Sequence, residues 1–253
     1  MIVGQVAGQH RQQGHCPGHV VVRTGQKTQN LVVESKHQCG DQLPQDVQLG
    51  FRTGMNENQT KLQFPPGFPE SEIKPIVFDV AQRIGDPVFT ITGITDSNHG
   101  LVDVVDEILS QKKWKLAVVE SVSHGLLSAK CMGYSFLDEA VFVQNLDRFF
   151  SRLDMDYCLE DEMESATKIA EAVKSGSHAD IVLVQLYQGM KNDGLDHPSL
   201  RDKDRAITLY NVLATENRMI QQSLQLGGTM KRKQNQAALS GLDFLRKYLQ
   251  NKI

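Results

Sequence analysis

The run Leu116-Ala117-Val118-Val119 constrains this chain more than any other stretch. Four successive apolar residues leave no polar face, so a strand there must be covered on both sides, as in the parallel sheets of α/β proteins. The run ends in Glu120-Ser121-Val122-Ser123-His124-Gly125, after which Leu126, Leu127 and Met132 suggest a helix. A strand that passes through a small polar loop into a helix is where α/β folds place ligands and reactive groups. N–H groups at the helix start favour an anion or a developing oxyanion. Ser121 is therefore a candidate nucleophile. Serine is also a preferred N-cap, and that alone would explain Ser121 or Ser123. His124 is a candidate base beside them, although a helix N-terminus disfavours the imidazolium. No third residue to orient it is evident.

The flanking sequence supplies the rest of an α/β unit. Val102, Val105, Ile108 and Leu109 form one face of a helix that starts near Gly100. Val141-Phe142-Val143, Leu146 and Phe149-Phe150 form an apolar stretch whose type the pattern leaves open. Glu160, Asp161 and Glu162 crowd the first turn of a helix with Met163, Ala166, Ala170 and Val173 on its apolar face, where acids suit the helix dipole. Asp180-Ile181-Val182-Leu183-Val184 is a second strand of the buried type. Gly189 to Arg205 reads as a polar loop. Ala206–Tyr210 and Arg218–Leu224 read as paired strands around Glu216-Asn217. A last helix carries Ala238, Leu242, Leu245 and Leu249 on one side. Lys231, Arg232 and Lys233 open it, an unfavourable place for cations that is a modest hint of an anion, with a solvated face the plainer reading.

Before this unit lies a smaller one. Val47–Phe51 and Thr60–Phe64 alternate like half-buried strands on either side of the turn residues 54–58. Pro65-Pro66-Gly67 breaks the chain. Ile73, Ile76, Val77, Val80 and Ile84 then recur at helical spacing, with Pro75 placed in the first turn, and Pro87–Thr92 is a third strand. The order β-β-α-β predicts a small sheet with one covering helix.

Residues 1–45 differ in kind. They hold nine glutamines and four of the eight histidines, and their apolar clusters are short. No buried face is evident, so the segment reads as poorly ordered or spurious, with domain-like sequence resuming near Leu43. Cys16, His19, His37 and Cys39 include zinc-ligand types, but their spacing matches no familiar module, and no metal is expected. The four scattered cysteines read as reduced thiols of a cytoplasmic protein. A net charge of −3 gives no global signal for nucleic acid or an anionic membrane. No signal peptide or apolar span of membrane length is present in the sequence.

The run from Leu116 to Leu127 resembles the L-A-x-A-E-S-C-T-G-G-L-L signature of the CinA (competence/damage-inducible) family. Asn98 to Leu109, Ala179 to Val184 and Met230 to Leu249 are similar to the helix before this motif, the family's central strand and its C-terminal helix. Residues 46–94 resemble the small KH-like domain that precedes the C-terminal domain in longer members. The resemblance implies an α/β fold: a three-layer CinA C-terminal-type domain over 96–253, a small α+β (KH-like) domain over 46–95, and the odd segment 1–45. A family N-terminal molybdopterin-binding-like domain has no counterpart here, and a truncated or frame-shifted gene start is the expectation.

Family C-terminal domains hydrolyse nicotinamide mononucleotide to nicotinate mononucleotide and ammonia, without a cofactor. The resemblance implies Ser121 as nucleophile, Ser123 in place of the motif threonine, and Gly125, Lys231 and Arg232 near substrate, a pyridine nucleotide. It also implies a homo-oligomer. Several positions depart from the pattern. Val122 and His124 replace the motif cysteine and first glycine. In the segment that should read Y-S-N-E-x-K, Asn145 is kept, but Val143 and Arg148 replace the tyrosine and lysine. An arginine cannot serve as the base. Gln185 to Met190 replaces the S-G-I-A-G-P loop, and Met230 stands where an arginine is usual. Such losses cost on the order of several powers of ten in rate unless His124 or Lys130 substitutes as base. Weak or absent amidase activity is the expectation, and the alternative is a non-catalytic relative that binds a nucleotide or a protein.

Overall fold

A computed structural model of the chain describes residues 20–24, 43–54, 57–94, 100–155, 161–193 and 196–253. Two sheets organise it.

The first sheet is antiparallel with strand order β2-β3-β1-β4, where β1 is Val20–Thr24, β2 Gln48–Thr53, β3 Asn58–Gln63 and β4 Val88–Thr92. Helix α1 (Glu70–Ile84) covers one face and buries Ile73, Val77, Val80 and Ile84 against Val20, Val22 and Leu62. The β-β-α-β order read from the sequence is present in β2, β3, α1 and β4. Strand β1 corrects the expectation that 1–45 lacks a buried face, because Val20, Val22 and Thr24 alternate inward between β3 and β4. The rest of that segment, with Cys16, His19, His37 and Cys39, lies outside the described residues, as does Cys158. Pro75 also departs from expectation: it sits inside α1 rather than in its first turn. A proline there forgoes one i→i−4 hydrogen bond.

The second sheet has the order β6-β5-β7-β8-β9. Strands β5 (Leu116–Glu120), β6 (Leu137–Phe142) and β7 (Ile181–Tyr187) run parallel, and β8 (Ile207–Ala214) and β9 (Met219–Leu226) continue the sheet antiparallel. Every residue of β5 and β7 is buried, as continuous apolar runs require when both faces are covered. Alternate residues serve opposite cores. Ala117, Val119, Val182 and Val184 pack with Ile169 and Ala170 of α5 (Glu162–Gly176) and with Phe150 of α4 (Leu146–Arg152). Leu116, Val118, Ile181 and Leu183 pack with Val105 and Leu109 of α2 (Leu101–Lys112) and with Leu242 and Leu245 of α8 (Met230–Leu249). The result is a three-layer α/β/α unit preceded by a small α+β unit. Helix α3 is Leu126–Cys131, and the Gly189–Arg205 segment contains two short helices, α6 (Met190–Asp193) and α7 (Pro198–Arg201), where a plain loop was expected.

The two units meet at α8. Arg246 is fully buried; its guanidinium donates to Asp86 O at 2.9 Å and Val88 O at 3.4 Å, and it pairs with Asp243 at 2.7 Å. Phe89 of β4 packs into the core between the second sheet and α8. No helix among the described residues is long and apolar enough to cross a membrane. Cys131 is a free, buried thiol whose pKa burial pushes up to about 12, so it is a packing residue.

Candidate functional site

The carboxyl ends of β5, β6 and β7 share one edge of the sheet. After β5 the chain bends sharply, and both His124 (φ 51°) and Gly125 (φ 84°) are left-handed. That conformation costs a residue with a Cβ roughly 1–2 kcal/mol. It is the conformation for which glycine is suited, and the family motif has glycine at His124. The bend returns the chain so that the first N–H groups of α3 point back at the end of β5.

A carboxylate already occupies them. Glu120 is fully buried, and its Oε2 accepts from Gly125 N at 3.1 Å and Leu127 N at 3.2 Å, its Oε1 from Ser128 N at 2.9 Å. The hydroxyls of Ser123 and Ser128 also donate to it. Glu120 thus satisfies orphan donors that every helix start leaves open. The expectation that these N–H groups await an oxyanion needs correction.

Ser121 is 2% exposed, and its hydroxyl donates to the backbone oxygen of Gln185 at 2.9 Å. Ser123 is fully buried, and besides Glu120 it reaches Gln185 Oε1 at 3.2 Å. Gln185 in turn donates from Nε2 to Asn211 Oδ1 at 2.7 Å and to Ala237 O at 2.9 Å. Asn211 Nδ2 donates to Gln222 Oε1 at 3.1 Å. Register explains the chain of contacts: Glu120 faces Gln185, Gln185 faces Asn211, and Asn211 faces Gln222. One polar row therefore crosses four strands and ends on α8. Sequence reading missed Gln185 and Asn211, and the available signal was one polar residue within each otherwise apolar run.

His124 does not bond to Ser121; its Nε2 is buried without a partner among the described residues. Its ring lies 5.3 Å from that of Phe142 and 6.1 Å from that of His197. His197 Nδ1 is 2.7 Å from the Tyr187 hydroxyl, which donates to Asp193 Oδ2 at 3.1 Å. Burial lowers the pKa of both histidines; His197 and Arg201 lower that of His124 further while Glu120 raises it, and Asp193 opposes the shift of His197. Burial and Asp193 raise the pKa of Tyr187. Neither His197 nor Tyr187 was singled out from the sequence.

The remaining candidates are dispersed. Lys130 stands in the last turn of α3 and lines a cleft toward the small unit. Lys231 and Arg232 are exposed on the first turn of α8. Lys233, grouped with them in the sequence, is instead fully buried and donates from Nζ to Ser199 O at 3.1 Å and Asp202 O at 2.6 Å, closing the end of α7. Asn145 caps α4 by accepting from Arg148 N at 2.8 Å, and Val143 is buried. A second cleft of about 440 Å³ opens at the carboxyl end of β7 and includes Glu162, Gln188, Asn192, Arg205 and Thr208. Among the described residues no cluster of His, Cys, Asp and Glu is arranged to hold a metal ion.

No family model matches the chain. Over 191 residues it is 28% identical to a competence-damage inducible protein of Alkaliphilus metalliredigens, covering 71% of this chain and 43% of that relative. Over 149 residues it is 28% identical to a protein of the same description from Clostridioides difficile, covering 54% of this chain and 34% of the other. These relatives support a CinA-family relationship at low identity. The chain spans less than half the length of these relatives. A solved CinA-superfamily structure from Klebsiella pneumoniae aligns with a TM-score of 0.47 at 16% identity, over 60% of this chain and 96% of that one. A competence or damage-inducible protein from Enterobacter asburiae aligns with a TM-score of 0.48 at 14% identity, over 60% and 99%. The segment that resembles the CinA signature folds as β5, the bend and α3.

Proposed function

We propose that this chain is a CinA-family protein that binds a pyridine nucleotide without hydrolysing it. One observation carries the reading: the Ser121 proton is committed to the backbone oxygen of Gln185, which cannot act as a general base. The Glu120 carboxylate belongs to the signature itself, so its hold on the N–H groups of Gly125, Leu127 and Ser128 fixes the bend and does not by itself separate hydrolysis from binding.

Binding is assigned to the cleft at the carboxyl end of β7, the edge at which open α/β sheets take ligands. Its volume of about 440 Å³ suits a mononucleotide. Arg205 is the phosphate partner, with Gln188, Asn192 and Thr208 as polar partners for the sugar and amide. The test supplies the purified full chain with nicotinamide mononucleotide and measures ammonia release beside equilibrium binding. Saturable binding that Arg205→Ala weakens, with no ammonia above the Ser121→Ala variant, is the expected result. Ammonia release that Ser121→Ala abolishes overturns it.

A further inference from the structure

A cleft of about 470 Å³ runs along the seam between the two units. Its lining includes Arg52 and Glu57 of the β2–β3 hairpin and Lys130 of α3. Phe89 of β4 and Leu239 and Leu242 of α8 supply its apolar surface. The residue set therefore divides into a cationic part and an apolar part.

The charges do not cancel within the cleft. Glu57 is the acid in the lining, and it is already paired: Arg23 Nη1 lies 2.5 Å from its Oε1, and Gln59 Nε2 donates to the same oxygen at 2.8 Å. Arg52 and Lys130 make no ion pair among the described residues. The start of α2 also borders the cleft, where the Gly100 N–H donates to Asp103 Oδ2 at 2.7 Å, and Arg52 and Lys130 are the cationic side chains of the lining. The floor is held in place, because buried Arg246 ties the β4 end of the small unit to the helix that carries Leu239 and Leu242.

The geometry points to a binding site for a small amphipathic anion, a carboxylate or phosphate ester whose charged end meets Arg52 and Lys130 and whose apolar body lies on Phe89, Leu239 and Leu242. An inorganic anion would leave the apolar floor wet. A neutral hydrocarbon would leave both cations without counter-charge. A molecule that joins the two features satisfies both, and the volume lies within the range of small-molecule sites. The site is separate from the nucleotide cleft proposed above and shares no lining residue with it.

Calorimetric titration of the full chain with 1-naphthyl phosphate, inorganic phosphate and 1-naphthol tests this. Saturable one-to-one binding of 1-naphthyl phosphate is expected, with each of the other two weaker by at least about tenfold. The Arg52→Ala/Lys130→Ala double variant should weaken it by at least about tenfold at an unchanged melting temperature. Leu239→Gln should weaken it while leaving the salt dependence in place. Inorganic phosphate binding as tightly as the ester, parental affinity in the double variant, or no saturation below about 1 mM overturns the assignment.

Discussion

Gly241 of α8 lies so close to Gln185 of β7 that a Cβ on the glycine would stand 2.8 Å from Gln185 Nε2. The contact lets the helix sit down on the polar row, and it leaves that amide free to reach Asn211 and Ala237 O. Gly241→Ala should push helix and sheet apart and strain both bonds. Overpacking of this kind costs about 1–3 kcal/mol. Thermal and urea unfolding of the purified variant check the expectation, and an unchanged midpoint would show that the row yields without cost.

Gln185 itself offers a sharper experiment. Gln185→Leu removes an acceptor from Ser123 and a donor from Asn211 and Ala237 O, all of them buried. Each orphaned polar group costs about 1–3 kcal/mol. The Gln185→Leu/Asn211→Leu double variant removes both ends of one bond, so it should be less destabilised than the sum of the single changes. Denaturant melts of the three variants give the coupling directly, and strict additivity would mean that the two amides do not act together.

These two residues mark the limit of what the sequence discloses. Strands β5 and β7, helices α5 and α8 and the β8–β9 hairpin were legible because each has its own local period or its own unbroken apolar run. Strand β1 was not, since Val20–Thr24 is short and owes its place to Asn58–Leu62 and to β4, far along the chain. The serine-bearing bend was legible as a motif. What it does was not, because the role of Glu120 depends on the left-handed turn at His124 and Gly125 that aims α3 back at it. Glu120, Gln185 and Asn211 become one structure only through strand register, which no local pattern encodes.

His124 and His197 make stability depend on pH. Burial lowers both pKa values in the folded protein below the ordinary value of 6.5, so the unfolded chain binds more protons once pH falls through that value. Their contribution is present in full above 6.5 and is lost progressively as pH drops from there toward the lowered folded values. The melting temperature should therefore fall on acidification from pH 7 to about 5. Asparagine tolerates the left-handed region, so His124→Asn should keep the bend and flatten this slope. A slope unchanged in both His124→Asn and His197→Asn would place the acid sensitivity elsewhere.

Arg246 fastens the small unit, and its loss should be felt there first. Arg246→Leu leaves Asp86 O and Val88 O without their donor, although Asp243 keeps Lys247 at 2.9 Å. Because that carboxylate retains a partner, the cost should fall below the roughly 3–5 kcal/mol of a fully broken buried pair. The core of α2, β5 and α8 does not depend on the guanidinium and should remain protected. Hydrogen exchange is the direct measurement: faster exchange in β1, β3 and β4, with β5 and β7 unchanged, is the expected pattern. Equal acceleration in both sheets would mean that the two units unfold as one cooperative body and that Arg246 stabilises the whole rather than the seam.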